Sequence, residues 1–252
     1  GEPFLHRRMG EIIVHCKEQA GIDAAVTTNG VLMRPEISER ILGSTAWIKI
    51  SINAGTPETY AAIHGTRPDD FAKTLANMEQ AAAIRARQGV GCTLGAQILL
   101  LPENKDEVTM LAGRCRDIGF DYLVVKPYSQ HPQSEHRDYE DISYEQHEEL
   151  AEQLEEYEND RFQVIFRLRA MRKWDDQARP YNRCLALPFW SYLDAGGNIW
   201  GCSMYLGDDR FLYGNINDNT FEEIWEGQRR LELLAWTTAH LDVCSCRVGC
   251  RM

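Results

Sequence analysis

The sequence predicts an α/β protein in which a parallel sheet flanked by helices is followed by a small cysteine-rich domain. Through the first two thirds of the chain, short apolar runs rich in β-branched residues alternate with longer stretches of helical period. This alternation is typical of βα units, which build parallel sheets. The sequence pattern changes after about Pro180, where this alternation ends. Five of the eight cysteines lie in the last third of the chain.

The first part is expected to contain five strands, separated by helices. Because parallel strands end at one edge of their sheet, catalytic groups are expected at the carboxyl ends of these strands. The predicted strands are Ile22–Thr27, Trp47–Ile52, Cys92–Leu101, Tyr122–Lys126 and Phe162–Phe166. The predicted helices are Phe4–Ala20, Glu36–Leu42, a short helix opened by Pro57, Asp69–Arg87, Lys105–Ile118 and Ser143–Tyr157.

A second domain is expected after a boundary near Arg179–Arg183, which divides the chain into residues 1–180 and 181–252. Two short strands, Phe189–Asp194 and Asn198–Met204, flank the Gly196-Gly197 turn and predict a β-hairpin. A helix over Phe221–Leu234 and the cysteine cluster follow. The pattern predicts a small hairpin-and-helix domain.

Composition excludes several classes of partner. The formal net charge is −11, whereas nucleic-acid binders usually carry a basic face, so nucleic acid is not an expected partner. No apolar run approaches the roughly 18 residues of a membrane helix. We therefore expect a soluble, cytoplasmic protein with no membrane partner. The chain opens on Gly-Glu-Pro without Met, so we expect it to be part of a longer chain.

The strongest local signal is the cysteine set near the C-terminus. Cys184 and Cys202 bracket the predicted hairpin, and Cys246 and Cys250 form a C-x-x-x-C pair with Cys244 just before it. A hairpin and a distant pair can bring four thiolates to one point, which suits a tetrahedral zinc or an iron–sulfur cluster. Spacing alone leaves both metals open, and buried thiols without a metal are the third possibility.

Further motifs accompany these cysteines. They are GNIWGC at Gly197–Cys202, FLYGN at Phe211–Asn215, TFEEIW at Thr220–Trp225 and CRVGCRM at Cys246–Met252. Together they resemble the SPASM and twitch domains of radical S-adenosylmethionine (SAM) enzymes. The resemblance implies one auxiliary iron–sulfur cluster rather than zinc. Its implied ligands are Cys184, Cys202, Cys246 and Cys250, with Cys244 as a spare or a substitute.

The first half contains a second ordered set of short motifs. They are Gly1-Glu2-Pro3, Thr27–Gly30 (TTNG), Ser51-Ile52-Asn53, Thr56–Tyr60 with Gly65, and Asn104–Glu107. In this order they resemble the strand-end motifs of the radical SAM barrel. SAM is a cation with a zwitterionic tail, which a carboxylate and strand-end hydroxyls and amides can hold. The resemblance implies SAM contacts from Gly1, Glu2, Pro3, Thr28, Asn29, Ser51 and Asn53, and a SAM or substrate contact from Lys126.

One departure from the family pattern concerns the catalytic cluster. The family holds that [4Fe–4S] cluster on a CxxxCxxC loop after the first strand, and no segment of this chain has that spacing. Cys16, Cys92 and Cys115 fall on predicted helix faces or in a strand and are expected in the core. The resemblance thus implies a partial (βα)6 TIM-like barrel lacking its first βα unit, with the catalytic ligands upstream of Gly1 and no activity of this chain alone.

For the intact parent protein, the resemblance implies a radical SAM oxidoreductase of the dehydrogenase type. Its cofactors would be SAM and [4Fe–4S] clusters, and a 5′-deoxyadenosyl radical would abstract hydrogen from the substrate. The substrate class would be a small polar molecule, similar to a sugar or aminocyclitol, or a peptide. An electron donor such as flavodoxin or ferredoxin would be a partner.

Two other interpretations stay open at the level of sequence. One is a (βα) enzyme in which four cysteines hold a structural zinc. The other is a catalytically incomplete homologue that retains SAM contacts or a partner-binding surface.

Overall fold

The computed structural model describes residues 1–145, 147–177, 179, 181–248 and 250. Its internal contacts divide the chain into two units. Unit 1 comprises Gly1–Tyr128 and Ile142–Arg172, and unit 2 comprises Ser129–Asp141 and Lys173–Met252. The expected boundary between residues 180 and 181 falls inside unit 2, and Pro180 itself lies outside the described residues.

Unit 1 alternates strands with helices, as the sequence predicts. Its strands are β1 (Ala24–Thr28), β2 (Thr45–Ser51), β3 (Thr93–Leu99), β4 (Tyr122–Lys126) and β5 (Gln163–Phe166). Its helices are α1 (Met9–Glu18), α2 (Pro35–Ile41), α3 (Pro57–His64), α4 (Asp69–Gln88), α5 (Val108–Ile118) and α6 (Glu148–Glu155). Helix α7 (Leu168–Asp176), which the sequence analysis did not predict, runs from unit 1 into unit 2.

The five strands form one parallel sheet in the order β1-β2-β3-β4-β5. With sequential order and right-handed crossovers, the connecting helices lie on one face of the sheet. Side chains on that face are buried; they include Ile48, Ile50, Leu94, Ile98, Leu123 and Val125. The α/β prediction is therefore confirmed.

The other face of this sheet is covered by no helix of unit 1, as far as the structure describes it, and we call it the open face. Side chains alternate between faces along a strand, and paired residues of neighbouring strands share a face. The open face consists of Ala25, Thr27, Trp47, Lys49, Ser51, Thr93, Gly95, Gln97, Leu99, Tyr122, Val124, Lys126, Gln163 and Ile165.

Unit 2 contains a three-stranded antiparallel sheet of β6 (Tyr192–Leu193), β7 (Asn198–Trp200) and β8 (Leu212–Asn215), followed by helices α8 (Phe221–Trp225) and α9 (Gln228–His240). The predicted hairpin is present but shorter than expected, and β8 adds a third strand to it. The core of this unit consists of Leu187, Ile199, Trp200, Phe211, Tyr213, Ile224 and Leu233.

The single helix predicted over Phe221–Leu234 is wrong, because the chain breaks at Gly227. Gly227 has an extended backbone (φ −68°, ψ 149°) and caps the start of α9. A Cβ at this position would lie 2.7 Å from the carbonyl oxygen of Glu223, so a side chain does not fit this tight approach. The helix of Phe4–Ala20 is also shorter than predicted, since a 3₁₀ turn over Pro3–Leu5 precedes α1.

No helix in the described part of the chain is both long and apolar enough to cross a membrane.

Candidate functional site

Most of the predicted SAM contacts gather at the edge of the sheet where the parallel strands end. Thr28 and Ser51 are the last residues of β1 and β2, and Lys126 is the last residue of β4. Asn29 follows β1 directly, and Asn53 is the second residue after β2. This edge is where parallel sheets bind ligands, since the loops there supply side chains and N–H groups without interrupting the sheet.

Glu2 joins the first turn of the chain to the end of β1. One carboxylate oxygen accepts hydrogen bonds from the Phe4 N–H (3.1 Å) and the Thr28 hydroxyl (2.7 Å). The other accepts from the Asn29 N–H (2.8 Å). Glu2 therefore holds the Gly1-Glu2-Pro3 turn beside Thr28 and Asn29, and its predicted contact with SAM would use the acceptor capacity that remains.

The loop after β1 is shaped by short-range hydrogen bonds. The Thr28 hydroxyl also accepts from the Gly30 N–H (3.1 Å), and the Asn29 side-chain oxygen accepts from the Val31 N–H (3.0 Å). Gly30 has φ 82°, a conformation that favours glycine. The TNG sequence thus specifies a tight turn, and this turn presents Asn29 at the sheet edge.

Asn53 is a scaffold residue as well as a predicted ligand. Its backbone is in the left-handed region (φ 53°), which Asn tolerates better than most residues. Its side-chain oxygen accepts from the Leu99 N–H (2.9 Å), and its carbonyl accepts from the buried Asn104 amide (2.8 Å). Asn53 therefore ties the end of β2 to the end of β3.

The motifs around Thr56 and Glu107 are separate in the sequence, but in the structure they form one helix cap. The Glu107 carboxylate accepts hydrogen bonds from the N–H groups of Gly55 (2.7 Å) and Thr56 (3.1 Å). It also accepts from the hydroxyls of Thr56 (2.8 Å) and Thr59 (2.6 Å). Burial opposes ionisation, but the hydrogen bonds outweigh it and lower the pKa of Glu107. An ionised carboxylate thus caps the start of α3.

Gln97 is a residue of this edge that the sequence analysis missed. Its side-chain oxygen accepts a hydrogen bond from the Lys126 ammonium (2.6 Å), and its backbone carbonyl accepts from the Ile52 N–H (3.1 Å). Gln97 thereby orients Lys126 across the open face. The available signal was a single amide side chain inside the otherwise apolar run Cys92–Leu101.

The predicted metal ligands lie in unit 2. Cys184, Cys202, Cys246 and Cys250 are half-buried, whereas Cys244 is exposed. Burial raises the pKa of Cys202, and the nearby thiols of Cys250, Cys246 and Cys184 raise it further. These four thiols are therefore electrostatic neighbours, whereas Cys244 is not among the groups that act on Cys202.

The donor set fits an iron–sulfur cluster, because such clusters are held by four cysteine thiolates. A cluster would relieve the mutual destabilisation of neighbouring thiolates. Among the described residues, however, no three His, Cys, Asp or Glu side chains are already arranged as a metal site. The four thiols thus lie near one another without ligand geometry, and the ligand assignment stays a prediction.

Aromatic side chains and N–H groups lie close to these thiols. The Tyr205 hydroxyl lies 3.5 Å from the Cys246 sulfur, and the Met204 N–H donates to the Cys202 sulfur at 3.5 Å. The Tyr205 ring stacks on Phe211 with centroids 4.1 Å apart. N–H groups near sulfur and a packed aromatic shell are features that tune an iron–sulfur cluster.

The hairpin that leads to Cys202 is fixed by Asp194. Its carboxylate accepts from the N–H groups of Gly196 (2.8 Å) and Asn198 (3.0 Å) and from the Trp200 indole N–H (2.7 Å). Hydrogen bonds from Trp200 and then Asn198 lower the pKa of Asp194 to about 2. Gly197, with φ 85°, completes the turn. The motif around Gly197 therefore positions β7, the strand that leads to Cys202.

The remaining cysteines are separate from this set. Cys92 and Cys115 are buried, as the sequence predicts, and burial raises the pKa of Cys115 to about 12. Cys16 is only half-buried on α1, so the core prediction is wrong for this residue.

Family models match most of the chain. Residues 1–115 match the model of the radical SAM superfamily, and residues 184–251 match SPASM, an iron–sulfur cluster-binding domain. The two domains imply SAM and [4Fe–4S] clusters as cofactors. The SPASM match also favours an iron–sulfur cluster over a structural zinc. Gly249, Arg251 and Met252 of the closing cysteine motif lie outside the described residues.

Individual relatives share only low sequence identity with this chain. An AdoMet-dependent heme synthase from Methanosarcina barkeri is 25% identical over 90% of this chain and 66% of its own length. The structure of Streptococcus suis SuiB bound to S-adenosylmethionine aligns with TM-score 0.61 and 16% identity, covering 90% of this chain and 53% of SuiB. The structure of anSMEcpe with bound AdoMet aligns with TM-score 0.58 and 17% identity, covering 94% and 67%. The chain thus spans about half to two thirds of these relatives.

Proposed function

Because the chain belongs to the radical SAM superfamily and carries a C-terminal SPASM domain, we propose that its parent protein uses a 5′-deoxyadenosyl radical to abstract hydrogen from a peptide or a small polar substrate. The observation that supports this most is the convergence of Glu2, Thr28, Ser51 and Lys126 at one sheet edge in a chain that also brings four thiols together. We further propose an oxidoreductase activity of the dehydrogenase type.

When bound, SAM and the clusters supply reductive cleavage of SAM, hydrogen abstraction and a route for one electron out of the substrate. The chain's own residues would bind and orient these groups. Glu2 fixes the turn that would hold the methionine end of SAM, and Ser51 and Asn53 present polar groups at the end of β2. Lys126, held by Gln97, places a cation at the same edge. Cys184, Cys202, Cys246 and Cys250 would hold the auxiliary cluster.

The peptide class of substrate has some support from the structural neighbours. SuiB has been crystallised with its precursor peptide SuiA, and anSMEcpe with a peptide named Kp18Cys. The heme synthase relative indicates that a non-peptide substrate is also compatible with this sequence pattern. An electron donor such as flavodoxin or ferredoxin would supply the electron for SAM cleavage.

The test begins with the anaerobically purified full-length gene product. We expect about eight irons and eight sulfides per chain, as two [4Fe–4S] clusters require, and an electron paramagnetic resonance signal that SAM perturbs. After chemical reduction, the enzyme should convert SAM to methionine and 5′-deoxyadenosine. One zinc per chain without iron, or a reduced and iron-loaded enzyme that leaves SAM intact, would contradict the proposal.

A further inference from the structure

The charges of the open face have one sign. Lys49 and Lys126 lie on it, and none of its residues is acidic, although acidic residues outnumber basic ones by 38 to 27 in the chain. Strand interiors in parallel sheets are usually apolar, because they are covered on both faces. Two ammonium groups on such a surface produce a positive potential that attracts an anion.

Lys49 lies deeper on this face than the predicted SAM contacts. It is half-buried in the middle of β2, two residues before Ser51, which places it about 6.6 Å along the strand from the sheet edge. Its ammonium lies 5.3 Å from the centroid of the Trp47 ring on the same strand. The amine is therefore next to an aromatic surface rather than at the edge of the sheet.

A second aromatic ring lies on the β3 side of Lys49. Gly95 pairs with Lys49 on one side and with Tyr122 on the other. The Tyr122 ring occupies the space that a Cβ on residue 95 would need, so this ring lies across β3 and extends toward β2. Lys49 is thus flanked by Trp47 and Tyr122, and this arrangement suits an anion attached to a flat or apolar body.

Lys126, the second lysine of the open face, lies at the edge of the sheet. Lys126 lies four residues beyond Tyr122, so it is about 13 Å farther along the sheet than the level of Lys49. Its hydrogen bond to Gln97 keeps its ammonium near the edge, with the predicted SAM contacts. Lys126 therefore serves the sheet edge, whereas Lys49 lies deeper on the open face.

We propose that Lys49, between Trp47 and Tyr122, binds a carboxylate of the substrate, and that the substrate is a carboxylate-bearing molecule or peptide with an aromatic or apolar portion next to that group. This proposal rests on the proposed function, since it presumes that the open face receives the substrate. The carboxylate of SAM is the other source of the same chemistry.

The experiment uses the reconstituted full-length enzyme saturated with SAM, and 3-phenylpropionate as the probe. Equilibrium dialysis should show saturable binding of the carboxylate, and 3-phenylpropionamide should bind more weakly. Lys49→Met should raise the dissociation constant of the carboxylate about ten- to a hundredfold, the usual value of a hydrogen bond to a charged group. Lys49→Arg should keep most of the affinity because it keeps the charge. Exposed Lys105→Met is the matched control.

Several outcomes would overturn the proposal. They are equal binding of the acid and the amide, no saturable binding of the acid by the unmodified enzyme, or an unchanged dissociation constant in Lys49→Met. A loss of SAM affinity in Lys49→Met, measured in parallel by calorimetry, would assign the carboxylate to SAM instead. If Lys49→Met loses iron or melts early, Lys49→Gln and Lys49→Arg are compared with each other instead. Probe binding does not require SAM cleavage, so a failure of the proposed function is seen separately.

Discussion

At the scale of single residues, Glu2 combines two tasks in one carboxylate. An ionised carboxylate offers about four acceptor positions, and three are used by donors of the turn and of β1. The remaining position is compatible with one hydrogen bond from the ammonium group of SAM. A residue that the sequence marks as a ligand is thus also the link that places the neighbouring ligands Thr28 and Asn29.

This double task predicts a loss of stability without any SAM present. Glu2→Gln replaces one acceptor oxygen by an NH₂ group that faces other donors, so unit 1 should lose about 1–3 kcal/mol in free energy of unfolding. Urea unfolding in the absence of SAM measures this, with Glu18→Gln, an exposed residue at the end of α1, as the control. Unchanged stability combined with lost SAM affinity would make Glu2 a ligand only.

Some residues of the site were visible in the sequence and others were not. Thr28, Asn29 and Ser51 stand where apolar runs end. The end of such a run predicts the end of a strand, so these positions could be predicted from the sequence. Lys49 lies inside the run WIKIS, which reads as a buried strand, so only the register with Gly95 and Tyr122 shows which face it occupies. The side chain's surroundings depend on pairings between distant segments.

At the scale of elements, the start of α3 is stabilised by a residue that is distant in the sequence. Glu107 lies just before α5, yet its carboxylate adds to the local cap of α3 by accepting from Gly55, Thr56 and Thr59. The Thr56 hydroxyl oxygen accepts the local N-cap hydrogen bond from the Thr59 N–H. The loop after β2 is therefore held by β3's following loop, which keeps the two strand ends in register.

A double-mutant cycle on this cap is the test at the level of elements. Glu107→Gln and Thr59→Val should each destabilise unit 1, and their effects should not add, since both change the hydrogen bond between Thr59 and Glu107. We expect Glu107→Gln to cost about 1.5–3 kcal/mol, the usual loss for hydrogen bonds to a charged acceptor. Chemical unfolding of the four proteins measures the coupling. Fully additive effects would show that the two groups act independently.

The elements themselves were predicted with uneven success. Runs such as Tyr122–Lys126 were identified with their exact ends, because β-branched and apolar residues stop there. The division between α8 and α9 was missed, because the apolar period continues through residues 221–234 and only the backbone of Gly227 interrupts it. Strand β8 was missed because LYGN becomes a strand through its pairing with β7.

At the scale of the whole molecule, the chain separates two chemistries between two units. The predicted SAM contacts belong to unit 1, and the four thiols belong to unit 2. The sequence indicated both domains, because each carries its motifs in a contiguous segment. It did not indicate that residues 129–141, which lie between β4 and α6, group with unit 2, because no local pattern in this polar loop reports its distant contacts.

This separation predicts that the auxiliary cluster can be removed without loss of SAM binding. Cys184→Ala should lower the iron content by about four per chain, one [4Fe–4S] cluster, and should destabilise unit 2. Cys244→Ala should keep its iron, because Cys244 is exposed and is not among the thiols that act on Cys202. Iron and sulfide assays with SAM calorimetry measure both variants. Unchanged iron in Cys184→Ala would remove it from the ligand set.

The contact between Gly95 and Tyr122 also limits how this protein can diverge. Since the ring of Tyr122 fills the space beside Gly95, a side chain at position 95 requires a smaller one at position 122. The two positions should therefore covary among homologues, with a glycine at 95 wherever a large aromatic ring stands at 122. Exchanging the bulk between these two positions would build the wall beside Lys49 from β3 instead of β4, and two successive substitutions could thus fit the open face to a substrate of different shape.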